Sequence, residues 1–159
     1  MADIFLILPD IKSDIRETGF LGALPLRTIN WGLNLETKSP VEFGPVQMNE
    51  IMVSKVVDRT SPQLMQALNN KLPWRTARIA FRTPTELATT YVYLQIDLVD
   101  ATLIQVAAQC DNGSEIPIEQ LTLVFRSATW TYRRKNADGS ISVVSTYTWT
   151  WEGAPAGML

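Results

Sequence analysis

The chain has no histidine and a single cysteine. Without histidine the commonest general base and the commonest transition-metal ligand are missing, and Ser-His and Cys-His nucleophilic catalysis are excluded. With Cys110 alone, no disulfide can form within the chain, a thiolate zinc site is unsupported, and folding needs no oxidising conditions. Cys110 is followed by Asp111 and lacks a cationic neighbour to activate it, so no reactive role is expected. Charge of one sign is lacking too. Fourteen basic against sixteen acidic residues leave a net charge of −2, which supplies no field for nucleic acid and no polybasic patch for a membrane. Arg133-Arg134-Lys135 is the one basic cluster; it precedes a turn and reads as a solvated hairpin tip. Long hydrophobic runs are also missing. MADIFLILPDIK at the N-terminus holds an apolar stretch of only about five residues behind Asp3, neither a signal peptide nor a membrane span. Export, if it occurs, is expected to need no cleaved leader, and no cofactor is expected.

What is present is enough apolar residue for one core. At 159 residues and 46% hydrophobic content, a single domain over residues 1–159 is expected. Ser54 to Trp74 carries the one legible helix. Thr60 or Ser61 can cap it, Pro62 suits its first turn, and Gln63 is a candidate capping-box partner for Thr60. Leu64, Met65 and Leu68 form its apolar stripe, Asn69, Asn70 and Pro73 stop it, and so short a helix must dock to persist.

The rest reads as strand and turn. Ile4 to Leu8 fits a strand buried on both faces. Asp10 to Leu24 reads as a surface connection pinned by Ile15, Phe20 and Leu21. From Arg27 to Glu36 the alternation places Ile29, Trp31, Leu33 and Leu35 on a core face and Thr28, Asn30, Gly32 and Asn34 on a wet one. That wet face carries no charge between Thr28 and Asn34, as a channel wall would, or an ordinary outer face. Thr37 to Met48 contains two prolines and reads as a loop outside any regular central strand. Its Val41, Phe43 and Val46 either fold back on the domain or reach into a partner.

Glu50 to Val57 and Arg75 to Thr83 read as further strands. Thr89 to Ala108 is a longer one, whose pattern weakens near Val99-Asp100 as at a bend that lets one strand serve two sheets. Gln120 to Arg133 changes phase near Ser127. Asn136-Ala137-Asp138-Gly139 is a hairpin turn, and the return strand sets Tyr147, Trp149 and Trp151 on one face. Mainly β structure follows: a closed antiparallel β barrel or sandwich of about eight strands with one flanking α-helix, since open edges invite pairing with other chains. Glu115 and Glu119 are candidate paired carboxylates for a hydrolase, but they flank Pro117 in a turn-rich region and read as solvated.

These pieces together resemble the Hcp family, the tube proteins of bacterial type VI secretion systems. The resemblance runs over nearly the whole chain and rests on order and spacing. Lys55-Val56-Val57-Asp58-Arg59-Thr60-Ser61-Pro62-Gln63-Leu64 resembles the family's approach to its single helix. Asn30-Trp31-Gly32 is similar to its Trp-Gly strand, Tyr93-Leu94-Gln95-Ile96 to its central strand, and Tyr132 to Gly139 to its C-terminal hairpin. The sequence departs from the family pattern at Ser13-Asp14-Ile15 and at Ile29. The resemblance implies hexameric rings that stack into a tube inside a contractile sheath, with sheath and spike proteins as partners and effector proteins in the lumen. It implies a stay in the bacterial cytoplasm followed by secretion. It also gives Val41, Phe43 and Val46 to a subunit interface and Thr28, Asn30 and Asn34 to the channel wall. A phage tail-tube protein with the same ring architecture is the alternative.

Overall fold

The computed structural model describes residues 3–84, 89–113 and 116–151. Eleven strands and one helix are described: β1 Asp3–Ile7, β2 Leu24–Leu26, β3 Thr28–Asn30, β4 Leu33–Ser39, β5 Glu42–Met48, β6 Ile51–Val56, α1 Ser61–Asn70, β7 Trp74–Arg82, β8 Val92–Gln109, β9 Ile118–Val124, β10 Ser127–Lys135 and β11 Ile141–Thr150. All described pairings are antiparallel. Nine strands form one sheet in the order β2-β1-β7-β8-β9-β6-β3, with β10 joining β8 and carrying β11. This path is open. Its two ends, β2 and β3, are joined through Arg27, whose N–H reaches the carbonyl of Ser54 at 2.7 Å.

The 18-residue strand β8 is the axle. Its first half pairs with β7 and β10, and its second half runs along β9. At the bend Asp100 takes a left-handed φ of 52°, and the buried set passes from Ile96 and Leu98 to Ala101 and Leu103. That is a change of one residue in phase, as an inserted bulge residue produces. The sequence-read phase change near Ser127 is the same corner on the neighbouring chain segment. There Phe125 and Arg126 separate β9 from β10, Arg126 donates its N–H to the Val99 carbonyl at 3.0 Å, and its guanidinium pairs with Asp100.

The core lies on the inner faces of both halves. Leu6, Ile51, Val53, Ile79, Ile96, Leu98, Leu121 and Leu123 are all essentially inaccessible. As expected, β1 is buried on both faces: Leu6 enters this core, while Phe5 stacks on Phe20 at 4.4 Å on the other side. Arg82 lies over both rings and pairs with Asp3 and Glu17. Hydrogen bonds to Asp3 raise its already high pKa against the opposing effect of burial. Ile15 packs against this smaller cluster, but Leu21 is 76% exposed and pins nothing.

Helix α1 covers Ser61–Asn70, with Pro62 in its first turn and Lys71 in the left-handed region at its end, φ 58°. Leu64 is fully buried and Leu68 packs against the core, but Met65 faces outward, so the docking stripe is narrower than its composition suggests. Thr60 is the N-cap residue without a side-chain cap bond. Its hydroxyl donates instead to Asp58 Oδ1 at 2.5 Å, and Ser61 Oγ donates to Glu119 Oε1 at 2.7 Å. The helix entrance is therefore held by carboxylates rather than by a capping box.

Those carboxylates centre on Lys55, which is fully buried. Its three protons go to Glu119 at 2.7 Å, to Asp58 at 3.0 Å and to the Val56 carbonyl at 2.9 Å. Glu119 is itself buried, so its reading as a solvated residue is corrected. It lies in β9 on the side of Leu121 and Leu123, directly across from Lys55. Glu115 lies outside the described residues. Burial pushes Asp58 up, but the Thr60 hydroxyl, Lys55 Nζ and the Thr60 N–H together hold its carboxyl below the ordinary aspartate value.

Candidate assembly interface

Two surfaces stand out, one apolar and one polar without charge. The apolar one is the β4–β5 hairpin. Residues Thr37 to Met48, read as a loop, form a strand-turn-strand unit with β4 that pairs with no other strand among the described residues. Pro45 is tolerated because β5 has a free edge on the side away from β4 and the missing N–H breaks no central ladder. Bulges after Leu35 and Thr37 interrupt the register.

Neither strand of this hairpin contains a buried residue. Leu33 and Leu35, expected on a core face, are 47% and 49% exposed. Alternation had marked them as one apolar face; on it Ile29 packs inward, Trp31 meets Phe81 edge-on at 5.9 Å, and Leu33 borders a recess with Met48, Trp130 and Tyr147. Val41, Phe43 and Val46 are exposed as well, Val41 almost completely. An isolated two-stranded hairpin is at best marginally stable in water, and a projecting row of aliphatic and aromatic side chains is a surface that loses free energy by meeting another.

The uncharged surface crosses four strands. One register row reads Thr28 on β3, Ser54 on β6, Gln120 on β9 and Ala107 on β8. The next reads Asn30, Met52, Thr122 and Gln105. Neither row holds a charged side chain, because Lys55 and Glu119 point to the opposite, core side. Hydrogen bonds within the face join Thr28 to Ser54 at 2.6 Å and Thr122 to Gln105 at 3.0 Å. Thr28 and Asn30 thus share a face. Asn34 does not: it sits on the hairpin and donates to Asn49 Oδ1 at 2.9 Å.

Where the hairpin meets the body, Met48, Val124, Phe125, Trp149 and Trp151 wall an apolar groove of about 420 Å³. Asn49, Glu50 and the Asp100–Arg126 pair line the same groove. Phe125 and Trp149 meet edge to face at 5.8 Å. The period-two aromatics of β11 pointed toward packing of this kind, but the groove itself draws on four separate segments, and no local pattern announces it. Among the described residues no group of acidic or sulfur side chains could hold a metal ion, and no helix is long and apolar enough to cross a membrane.

The family model described as "Type VI secretion system effector, Hcp" matches residues 5–132. No curated protein sequence matches. Among solved structures, one described as a type six secretion system protein superposes with a TM-score of 0.83 at 16% identity, covering 94% of this chain and 96% of its own. Hcp1 from the EAEC pathovar of E. coli follows at 0.73 and 17% identity, with 94% and 97% covered. The secreted protein Hcp3 from Pseudomonas aeruginosa gives 0.66 at 16% identity, with 96% and 100% covered. At such identities these likenesses speak for the fold.

Proposed function

The chain belongs to the Hcp family of type VI secretion, whose members are secreted structural tube proteins and not enzymes, and from that premise we propose that it assembles into hexameric rings that stack as the inner tube of the secretion machine. The observation that carries this reading is the β4–β5 hairpin, with no buried residue of its own and with Leu33, Leu35, Val41, Phe43 and Val46 turned to solvent. A surface of this kind is completed by a neighbouring subunit. Val41, Phe43 and Val46 are its contact residues.

The uncharged face supports the complementary part of the reading. With Thr28 and Asn30 toward the lumen, effector proteins pass a wall that offers hydrogen bonds but no charge to hold them; Asn34, on the hairpin, belongs to the rim of that wall. Residues 1–159 act as one tube-subunit domain, a barrel-like antiparallel sheet whose two end strands, β2 and β3, adjoin at Arg27. Sheath and spike proteins are its partners outside the ring, and sheath contraction supplies the energy of export from the bacterial cytoplasm. Head-to-tail contact uses two different patches per subunit and closes only at the right rotation. Size-exclusion chromatography with light scattering, followed by electron microscopy, tests this. Ring-shaped hexamers are expected, and a strict monomer at high concentration overturns the reading.

A further inference from the structure

We propose that the β4–β5 hairpin is a hinged arm that, in the free subunit, closes onto β11 of its own chain. The arm's release on assembly rests on the ring reading above; its closure does not.

Apolar surface borders apolar surface here across unfilled space. Leu33 is paired with Met48 and Leu35 with Val46 across the hairpin, so the four side chains share one of its faces. Three recesses, of about 420, 600 and 200 Å³, each have hairpin residues on one wall and residues of β11 or its end on another. The first sets Met48 with Trp149 and Trp151, the second Pro45 and Val46 with Tyr147 to Trp151, and the third Leu33 and Met48 with Tyr147. No charged side chain lines the second or the third. Glu50, Asp100 and Arg126 line only the first, at the root of the hairpin, so closing along β11 brings no like charges together. Apolar walls that meet water instead of each other forgo both burial and contact.

Little holds the hairpin away from β11. It is tethered to the body by two short links, Trp31-Gly32 and Asn49-Glu50. The Asn49 N–H donates to the Gly32 carbonyl and the Asn34 amide to Asn49 Oδ1, both at 2.9 Å; these bonds lie inside the root and survive a rotation about it. Among the described residues the hairpin's side-chain hydrogen bonds reach Asn49 and its own turn, and none crosses to β11. β5 and β11 each have an unpaired edge there as well. Closure lays Leu33, Leu35 and Val46 over Tyr147 and Trp149 and fills the recesses. A neighbour that takes the same side chains has to displace them from β11, so closing and joining compete for one apolar face.

Fluorescence tests this on the full chain. Leu35 borders none of the three recesses. A bimane label on Leu35→Cys, with Cys110→Ser, therefore meets Trp149 or Trp151 when the arm swings in, and contact with an indole quenches its emission. In subunits diluted until light scattering reports a monomer, emission is expected to rise severalfold when Trp149→Phe and Trp151→Phe are introduced together, and to stay level when they are introduced beside a label on Leu21→Cys. Should the paired change prevent folding, Trp151→Phe alone, at the exposed end of β11, supplies the comparison. Emission that is indifferent to these changes overturns the inference. Ring formation by the unlabelled chain is scored separately. Rings without tryptophan-dependent quenching overturn the arm and leave the ring reading standing; quenching with a strict monomer at high concentration keeps the arm and overturns the ring reading.

Discussion

At the entrance to α1 the protein buries charge, and along the β4–β5 hairpin it exposes apolar side chains. Lys55 and Glu119 lie out of water yet satisfied, with every Lys55 proton bonded and the Glu119 oxygen taking bonds from Lys55 and Ser61. Leu33, Leu35 and Phe43 are each about half exposed to water or more. Both arrangements cost free energy taken alone. The first is compensated inside the subunit and serves its fold; the second is uncompensated there and serves whatever covers it. Mutations should therefore separate the two regions cleanly, one changing folding and the other changing assembly.

The largest effect on folding is expected at Lys55. Lys55→Ala strands Glu119 without its cation in the interior and should cost about 3–5 kcal/mol, read as a lower denaturant midpoint. Replacing both partners, Lys55→Met with Glu119→Leu, should recover most of that loss, since an apolar pair of similar volume needs no compensation. A double variant no better than the single one would show that the surrounding bonds from Ser61 and Asp58 dominate. Next comes the helix. Leu64→Ala should cost about 2–5 kcal/mol and Met65→Ala under about 0.5 kcal/mol, a contrast that reports which face of α1 is docked.

Asp58 gives a smaller, pH-dependent effect. Its carboxyl is held below the ordinary aspartate value, so its contribution is present in full above that value and is lost as the pH falls through the lowered one. Asp58→Asn should therefore flatten part of the acid limb of a stability profile and leave the neutral region without that contribution. The smallest change in folding is expected at Phe43→Asp, within about 0.5 kcal/mol. In assembly the order reverses. Under the ring reading Phe43→Asp abolishes rings by light scattering, because the seam would bury an unpaired charge, while Met65→Ala leaves them intact. Intact rings from Phe43→Asp would remove Phe43 from the interface.

Much of this architecture was legible in the residues, for identifiable reasons. Pro62 and the spacing of Leu64 and Leu68 marked the helix, Asp138-Gly139 the last hairpin, and the weakened pattern at Val99-Asp100 the corner of β8. Alternation also marked Leu33 and Leu35 as one apolar face. Period two reports that a strand has two unlike sides, but it is silent on whether the cover comes from its own chain, and that is where the core assignment failed. Thr37 to Met48 was missed as strand because Pro45 forbids only a central position, not an edge. Glu119 was misread for another reason: charge was given more weight than parity. It shares a face with Leu121 and Leu123, as Lys55 does with Val53 and Ile51, and that parity was available in the sequence. The groove was beyond reach, since its walls come from segments far apart in the chain.

The pairing of β6 with β9 has a consequence for errors in folding. Successive strand residues face opposite sides, so a slip by one residue would exchange the two faces of β6 together. Ser54 would enter the core, and Lys55 would emerge among Thr28, Gln120 and the other uncharged residues of the outer face, leaving Glu119 alone inside. The misaligned chain is thus penalised twice by the same event. The buried Lys55–Glu119 pair thus fixes the register of β6 against β9.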